Sequence, residues 1–382
     1  MDYFLTDQQQ EIQALARRIA REKVKPVAAK YDREGTFPWD MVEEFAKAGF
    51  FSVYLPEEYG GMGGGVLDLV IVTEELSRIC GGIALAVAAT ALGTFPIMIS
   101  GNDAQKEKYL HDLSAGKMLA GFGLTEPQAG SDAAGIRTTA VKKGDKYILN
   151  GMKHFITNGS VAKVYTVIAS TDPGKGTRGT SAFIVEDGMP GLSYGKIEDK
   201  LGIRASKTSE LVFEDVEVPV ENMLGREGQG FIVAMKTLDR SRPGVAAQAL
   251  GIAQGALDLA AEYTTKRIQF GKSIASFQAI QTILADMGSK IESARALVYQ
   301  TARMIDSGVE KVGKESAMCK LIASDIAMQV TTDAVQLFGG YGYMRDYPIE
   351  KFMRDAKITQ IYEGTNQILR MVIGRQIMKE AS

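Results

Sequence analysis

One glutamate near the end of the 382-residue chain is placed for acid–base chemistry by its neighbours. Glu363 lies between Tyr362 and Gly364, and isoleucines stand close by at positions 358, 361 and 368. A carboxylate in apolar surroundings has a raised pKa and can act as a general base near neutral pH. Taken alone, however, the segment is more typical of a glutamate that caps a helix before a glycine turn.

Histidine and cysteine, which most other site chemistries require, are scarce. The chain has two histidines, His111 and His154, and two cysteines, Cys80 and Cys319. A zinc site of the usual kind needs three or four clustered ligands of these types, and a Ser–His–Asp triad would have to use one of the two histidines. The sequence therefore predicts no metal site, and it predicts that a carboxylate or a cofactor carries the chemistry.

Residues 122–132, FGLTEPQAGSD, form a second chemically rich segment. The segment combines the hydroxyls of Thr125 and Ser131 with small residues and a proline, in a loop expected to expose backbone N–H groups. Such a loop suits a phosphate-bearing or heterocyclic ligand. An ordinary loop between two domains explains the same residues equally well.

Residues 153–159, KHFITNG, form the third segment. Strand alternation would place Phe155 and Thr157 on one face, giving an aromatic surface for stacking beside a hydroxyl donor. His154 would point to the opposite face, where a structural role is expected. In isolation, a core phenylalanine and a solvent-facing threonine are an equal alternative.

Two glycine patterns resemble nucleotide-binding loops, but each lacks a glycine that the motif requires. Residues 271–273, Gly-Lys-Ser, resemble the end of a P-loop, but Lys266 occupies the position of its first glycine. Residues 121–123, Gly-Phe-Gly, begin like a dinucleotide-binding motif, but Glu126 occupies the third glycine position. Kinase-type and Rossmann-type folds are therefore excluded.

The elements that must position these segments fall into three zones. At roughly 150 residues per domain, the length predicts two to three domains. Residues 1–120 have helical periodicity after a capping box at Thr6 and Gln9. Residues 121–230 contain short β-rich runs between turns, which predict a compact antiparallel β domain. Residues 231–382 are helical again, and apolar residues spaced by three and four from Phe277 to Val298 indicate a packed helical bundle. The predicted fold class is α+β.

Charge and hydropathy limit which partners the protein can bind and which cellular compartment it is expected to occupy. A net charge of −2 gives no basic field for nucleic acid. Residues 79–102 are uncharged and long enough to span a bilayer, but alanines dominate them and glycines and Pro96 interrupt them. We expect a buried core helix that forms the wall of an apolar pocket, and no membrane span. The N-terminus lacks a signal peptide and the cysteines do not cluster, which favours the cytoplasm.

Taken together, five motifs give the chain a family resemblance. From residue 123 to residue 368 they are GLTEPQAGSD, KHFITNG, KLGIRASKTSELVFEDVEVP, KRIQFGK and VQLFGGYGYMRDYPIEKFMRDAKITQIYEGTNQI. In this order they resemble the acyl-CoA dehydrogenase family, especially its bacterial butyryl-CoA and short-chain members, over nearly the whole chain. The resemblance implies that the middle β domain is barrel-like and that the C-terminal helices form a four-helix bundle. The resemblance favours the hypothesis that Glu363 is a general base over the alternative that it only caps a helix.

The resemblance implies an FAD enzyme that oxidises a short- to medium-chain acyl-CoA to the trans-2-enoyl-CoA and passes electrons to an electron-transferring flavoprotein. Glu363 would be the catalytic base. FAD contacts would come from Phe122, Leu124, Thr125, Phe155, Thr157, Thr365 and Gln367, and, for the FAD of a neighbouring subunit, from Arg267, Phe270, Gln278, Gln336, Gly339 and Gly340. Substrate contacts would come from Ser131, Asp239, Arg242, Tyr362 and Gly364. A shared cofactor site implies a homo-oligomer, a tetramer.

The substrate prediction depends on the uncharged helix. No Arg or Lys lies between Arg78 and Lys106, which argues against a dicarboxylic acyl group. Small residues at Ala84, Ala88, Ala91 and Gly93 would leave room for a medium, branched or cyclic acyl group. The alternatives are a dehydrogenase for a branched or cyclic acyl-CoA, an acyl-CoA oxidase, or a flavin-binding relative that has lost dehydrogenation.

Three positions depart from the family pattern. Phe155 stands where many relatives have tryptophan, and the stacking role survives the change. Arg240 and Ser241 interrupt an Asp-Gly-Gly-Arg pattern common in butyryl-type relatives, and Arg240 is expected to be a solvated charge. The glycine-rich run at 60–65 is unusually long, and a change at the rim of the site is expected there.

Overall fold

The computed structural model describes residues 3–382, and helices form its N-terminal region. These are α1 to α6: Asp7–Ile19, Ala28–Glu34, Trp39–Lys47, Val66–Ser77, Gly81–Ser100 and Asp103–Ser114. The predicted capping box is confirmed at the start of α1. The Gln9 backbone N–H donates to the Thr6 hydroxyl, and the Thr6 backbone N–H donates to the Gln9 side chain.

Helix α5 is the uncharged segment, and by length and composition alone it could cross a membrane. It lies inside the protein instead, with 78% of its most apolar 18-residue window buried, against α4, α7 and the first strand. Gly93 serves this packing, because a Cβ there would lie 2.6 Å from the Gly121 backbone nitrogen. The expectation that Gly93 makes room for substrate is therefore wrong.

The strands of the middle region form one sheet. Its strands β1 to β8 are Ala120–Gly123, Thr139–Lys143, Lys146–Thr157, Val164–Ser170, Thr180–Glu186, Leu192–Ile197, Thr208–Pro219 and Met223–Leu224. The order is β6-β7-β3-β2-β4-β5-β8, with β1 beside β4. Most neighbours are antiparallel as predicted, but β1 and β2 each pair in parallel with β4. Parallel pairing needs a long connection, and the 124–138 loop with the β2–β3 hairpin provides one.

Helices return in the C-terminal region. They are α7 to α11: Gly230–Lys266, Gln278–Asp306, Gly313–Phe338, Ile349–Thr359 and Asn366–Ala381. A short hairpin of β9, Ile268–Gln269, and β10, Lys272–Ser273, separates α7 from α8. Helices α7, α8 and α9 pack on one another, and α10 and α11 both pack on α9. The predicted seam of α8 is buried from Met287 to Val298, whereas its first residues, Phe277 and Ile280, remain partly exposed.

Candidate active site

A cavity of about 390 Å³ opens where the three regions meet. Helix α5 supplies its apolar wall, and Leu85, Ala88, Ala89, Leu92 and Phe95 border it. Of the small residues expected to widen the pocket, Ala88 lines the cavity and Ala84 and Ala91 do not. The opposite wall comes from the loop after β1, the end of β3, helix α7 and the turn before α11. Ten predicted site residues line it: Phe122, Leu124, Thr125, Ser131, Phe155, Thr157, Arg242, Tyr362, Glu363 and Gly364.

Glu363 lies in the turn between α10 and α11 in a backbone conformation that non-glycine residues rarely adopt. Its φ is 52°, and the φ of Gly364 is 97°. A left-handed non-glycine residue costs about 1–3 kcal/mol and persists only where surrounding contacts impose it. The side chain of Thr365 then caps α11 by accepting a hydrogen bond from the Ile368 backbone N–H. Helix α11 therefore has an N-terminal cap, but the capping residue is Thr365 and not Glu363.

Contacts from two helices hold this turn in place. The Ser241 hydroxyl on α7 donates to Glu363 Oε2 at 2.5 Å, and Arg242 Nε donates to the Glu363 carbonyl at 3.3 Å. From α9, Lys320 Nζ donates to the Gly364 carbonyl at 2.7 Å and to Asn366 Oδ1 at 3.0 Å. Sequence reasoning missed Ser241 and Lys320 as site residues.

The electrostatics of the turn suit a general base. Burial raises the pKa of Glu363, while the Ser241 hydrogen bond, Arg242 and Lys320 act to lower it. Burial likewise lowers the pKa of Lys320 to about 8. The base thus sits in low-dielectric surroundings but keeps donors and cations that stabilise its ionised form.

Asp239 and Tyr362, both predicted site residues, take part in contacts around the turn. Asp239 does not border the cavity, and its Oδ1 lies 3.1 Å from Arg242 Nη1. The Tyr362 hydroxyl donates to Gln248 Oε1, and Gln248 Nε2 donates to the Gly81 carbonyl at the start of α5. The first pair lies within α7 and orients Arg242, whereas the Gln248 contacts tie α7 to the turn and to α5. Gln248, which sequence reasoning missed, also borders the cavity.

The loop after β1 and the end of β3 are joined by a buried ion pair. Lys153 Nζ donates to Glu126 Oε1 at 2.5 Å and to the Leu124 carbonyl at 3.1 Å, and the lysine side chain is fully buried. Glu126 also accepts hydrogen bonds from the backbone N–H groups of Arg137 and Thr138. Burial opposes its ionisation, but Lys153 and these donors outweigh that effect and lower the pKa of Glu126. Glu126 is therefore an anchor of the loop.

The end of β3 departs from strict alternation. A register shift against β7 falls between Lys153 and Ile156, and the φ of Phe155 is 59°. As a result the Phe155 ring is 59% exposed and borders the cavity beside both Ile156 and Thr157. The His154 ring lies outside the cavity with its Nδ1 3.0 Å from Glu210 Oε1, and its backbone N–H donates to the Thr125 carbonyl. The structural role expected for His154 fits these contacts.

The cavity wall beside Phe155 carries polar groups without protein partners. Within residues 3–382, the hydroxyls of Thr125 and Thr157 make no hydrogen bond to protein, although both border the cavity. An exposed aromatic ring flanked by two free hydroxyls fits a planar heterocycle that stacks and accepts hydrogen bonds. The residues present therefore fit a flavin ring.

The remaining predicted cofactor residues lie elsewhere on the chain. Arg267, Gln336, Gly339 and Gly340 border a separate surface pocket of about 620 Å³. Phe270 is 93% exposed on the β9–β10 hairpin, Gln278 is exposed at the start of α8, and Gln367 is exposed in the first turn of α11. One chain does not bring these residues to the cavity.

The expectation that residues 60–65 change the rim of the site stays a prediction. None of them borders the cavity; Gly63, Gly64 and Gly65 border a different pocket that Arg240 and Asp306 also line. Arg240 itself is exposed, as expected for a solvated charge.

A half-buried carboxylate at an apolar cavity, beside a wall that fits a planar redox cofactor, is an arrangement that suits an oxidoreductase. Family models for the N-terminal, middle and C-terminal domains of acyl-CoA dehydrogenase match residues 6–117, 121–216 and 228–378. The chain belongs to the acyl-CoA dehydrogenase family.

Individual relatives are similar over their full lengths. The short-chain specific acyl-CoA dehydrogenase of Clostridium acetobutylicum is 50% identical over 99% of this chain and 100% of its own. The structure of butyryl-CoA dehydrogenase from Megasphaera elsdenii has a TM-score of 0.97 at 50% identity, covering 99% of this chain and 100% of that one. A chain from work on the electron transferring flavoprotein of Acidaminococcus fermentans has a TM-score of 0.97 at 52% identity, covering 99% of each chain.

Proposed function

We propose that this protein is an FAD-dependent acyl-CoA dehydrogenase that converts a short- to medium-chain acyl-CoA thioester to the trans-2-enoyl-CoA. The observation that carries the proposal is the Glu363 carboxyl at an apolar cavity, where burial raises its pKa. The α-proton of a thioester is only weakly acidic, so a desolvated base of this kind is what its removal requires.

Glu363 takes the α-proton on its carboxylate. The thioester carbonyl needs a preorganised hydrogen-bond donor as negative charge develops on its oxygen. Among the described residues, no acceptor is bonded to the backbone N–H of Glu363, so this N–H is free to polarise the carbonyl. Tyr362 and Gly364 then lie beside the thioester, and Ser131 and Arg242 border the path of the CoA moiety. Asp239, paired with Arg242, would help to hold the CoA moiety from outside the cavity lining.

Phe122, Leu124, Thr125, Phe155 and Thr157 would hold the FAD ring at the wall that fits it. When bound, the FAD supplies the acceptor for the β-hydrogen of the substrate. The apolar residues of α5 and α7 exclude water from the space between Glu363 and that wall, which keeps the carboxylate basic.

We infer a homotetramer from the residues that one chain leaves unused. Arg267, Phe270, Gln278, Gln336, Gly339 and Gly340 would reach the FAD of a neighbouring subunit, while Thr365 and Gln367 would contact the adenosine part. The exposed Phe270 and the open pocket bordered by Gln336 and Gly339 support a second chain at this surface. The matched domain models support domain boundaries near 1–120, 121–230 and 231–382.

The proposed electron acceptor is an electron-transferring flavoprotein, and the proposed compartment is the cytoplasm. The similarity to a chain from work on an electron transferring flavoprotein supports the first proposal. Both cysteines are buried and free, which suits a reducing compartment.

The lining of the cavity supports a monocarboxylic acyl group. Among the described residues that line the cavity, Arg242 is the one cation. Its guanidinium is already paired with Asp239 and donates a hydrogen bond to the Glu363 carbonyl. A distal carboxylate would therefore be buried without a partner, which is strongly unfavourable.

The test is anaerobic addition of acyl-CoAs of graded length to the purified yellow protein. We expect butyryl-CoA to bleach the flavin absorbance and glutaryl-CoA to do so far more slowly. Absence of bleaching by every straight-chain acyl-CoA, or equal rates with butyryl-CoA and glutaryl-CoA, would refute the proposed substrate class. Absence of bleaching by branched and cyclic acyl-CoAs as well would refute dehydrogenation. Peroxide formation in air at the turnover rate would identify an oxidase instead.

A further inference from the structure

We propose that Ser241 is a positioning residue for Glu363: its hydroxyl holds one carboxylate oxygen and leaves the other free to receive the proton. The proposal rests on the function proposed above, because it concerns how the base of that reaction is oriented. Ser241 does not touch the reacting carbon and acts through Glu363.

The geometry around the carboxylate is asymmetric. The Ser241 hydroxyl donates to Glu363 Oε2 at 2.5 Å, and among residues 3–382 no donor is bonded to Oε1. Ser241 is buried, with 5% of its surface exposed. The one other acceptor near the hydroxyl is the Leu238 carbonyl, at a weak 3.4 Å. The hydroxyl is therefore directed to the carboxylate and not to its own helix.

Fixing one oxygen also limits the rotation of the carboxyl group. The Glu363 side chain starts from a left-handed backbone residue, so few conformations point its carboxyl into the cavity. A short hydrogen bond from a rigid helix selects one of them. Orientation of this kind raises the reaction rate because it holds the reacting atoms close together before the chemical step.

The charged and titratable groups around Glu363 come from three elements. Arg242 follows Ser241 on α7 and is paired with Asp239, Lys320 faces the turn from α9, and Tyr362 precedes Glu363 in the turn itself. Arg242 and Lys320 already favour the ionised carboxylate. Ser241 adds a neutral donor, which also favours the ionised form.

Substituting Ser241→Ala removes the donor and leaves the cations in place. The proton-bound form of Glu363 then persists to higher pH, so the acid limb of the rate profile should move up by about one pH unit, as expected for loss of one hydrogen bond to a charge. The rate at the alkaline plateau should fall about tenfold, because the carboxyl is no longer fixed. Ser241→Thr keeps the hydroxyl and should restore the wild-type acid limb.

The experiment compares holoenzymes of wild type, Ser241→Ala, Ser241→Thr and the control Thr237→Val. Thr237 is buried one helical turn before Ser241, and its hydroxyl bonds to the Val233 carbonyl outside the cavity. The control therefore removes a buried hydroxyl from the same helix without changing the base. Flavin reduction by butyryl-CoA is measured by stopped flow across pH.

A second measurement does not depend on turnover. Infrared difference spectra between each protein and its Glu363→Gln counterpart report the titration of the Glu363 carboxyl directly. An upward shift in Ser241→Ala alone supports the proposal. An unshifted titration, or an equal shift in Thr237→Val, overturns it. If acyl-CoAs fail to reduce the flavin, the proposed function fails, and the infrared titration still decides the role of Ser241.

Discussion

Two parts of the cavity lining are each held by a buried lysine: the β wall, formed by the loop after β1 and the end of β3, and the helical wall, formed by α7 and the turn before α11. The two lysines are compensated in different ways. On the β wall, Lys153 is bonded to the carboxylate of Glu126. On the helical wall, Lys320 is bonded to two neutral oxygens, the Gly364 carbonyl and Asn366 Oδ1. Burial lowers the pKa of both lysines to about 8.

Because of this difference, the charge of the β wall stays the same during the reaction, whereas the charge of the helical wall changes with the protonation of Glu363. The charge of Lys153 is balanced by a carboxylate that two backbone N–H groups also stabilise, so this pair is independent of the reaction. The negative charge that favours ionised Lys320 most is Glu363 itself, followed by Asp325. Each time Glu363 gains or loses a proton, the charge balance of the helical wall changes and that of the β wall does not.

The largest expected effect comes from removing the base. Glu363→Gln should slow flavin reduction by about a thousandfold or more, because the amide cannot accept the α-proton. FAD should remain bound, since the β wall is intact. Stopped-flow reduction with the FAD content measured in parallel checks both points. Glu363→Asp, which keeps a carboxylate on a shorter side chain, should fall between the two, and near-normal activity of the glutamine variant would contradict the base assignment.

Lys153→Met should be the most damaging change to the β wall. It leaves Glu126 buried without its cation, which costs about 3–5 kcal/mol, and it releases the loop that carries Thr125. We expect lower stability in urea and partial loss of FAD, with the acid limb of the rate profile unmoved. The double variant Lys153→Met/Glu126→Gln should recover much of the stability because no unpaired charge remains. A double variant no more stable than the single one would show that the ion pair is not the cause.

Lys320→Met should affect the helical wall in a smaller and different way. Two acceptors lose their donor, at about 1–3 kcal/mol. Loss of the cation also raises the pKa of Glu363, so the acid limb should shift to higher pH, which Lys153→Met does not cause. Rate profiles of the two methionine variants, compared side by side, check this. Equal shifts in both variants would remove the distinction between the walls.

Much of this cavity could be predicted from sequence, because its residues sit in motifs with distinctive composition. Phe155, Thr157 and Glu363 were predicted as site residues and border the cavity. The contacts that hold them were not predicted. Lys153 and Glu126 are 27 residues apart and meet through the packing of a loop on a strand, which no local periodicity reports.

Other features escaped prediction for the same physical reason. The parallel pairing of β1 with β4 depends on which distant strand is free at that edge, and the register shift at Phe155 depends on β7. One signal was present: Lys320 interrupts an otherwise small and apolar stretch of α9, at a position where a lysine needs a buried partner.

The smallest expected effect concerns stability and again distinguishes the walls. Burial raises the pKa of Glu363 above its ordinary value, so the folded protein binds this proton more tightly than the unfolded chain does. The protonated Glu363 carboxyl therefore stabilises the folded protein at acid pH. This stabilisation is lost as the pH rises from the pKa of Glu363 in the unfolded chain through its pKa in the folded protein. Glu363→Gln lacks this loss and should be more stable than wild type near neutral pH by about 0.5–2 kcal/mol. The gain should vanish at acid pH. Urea unfolding at several pH values measures this difference in stability.

The comparison variant is Glu126→Gln, at a carboxyl whose pKa is lowered in the folded protein. This variant should be less stable than wild type at neutral pH, because the ionised form of Glu126 stabilises the fold and the ionised form of Glu363 does not.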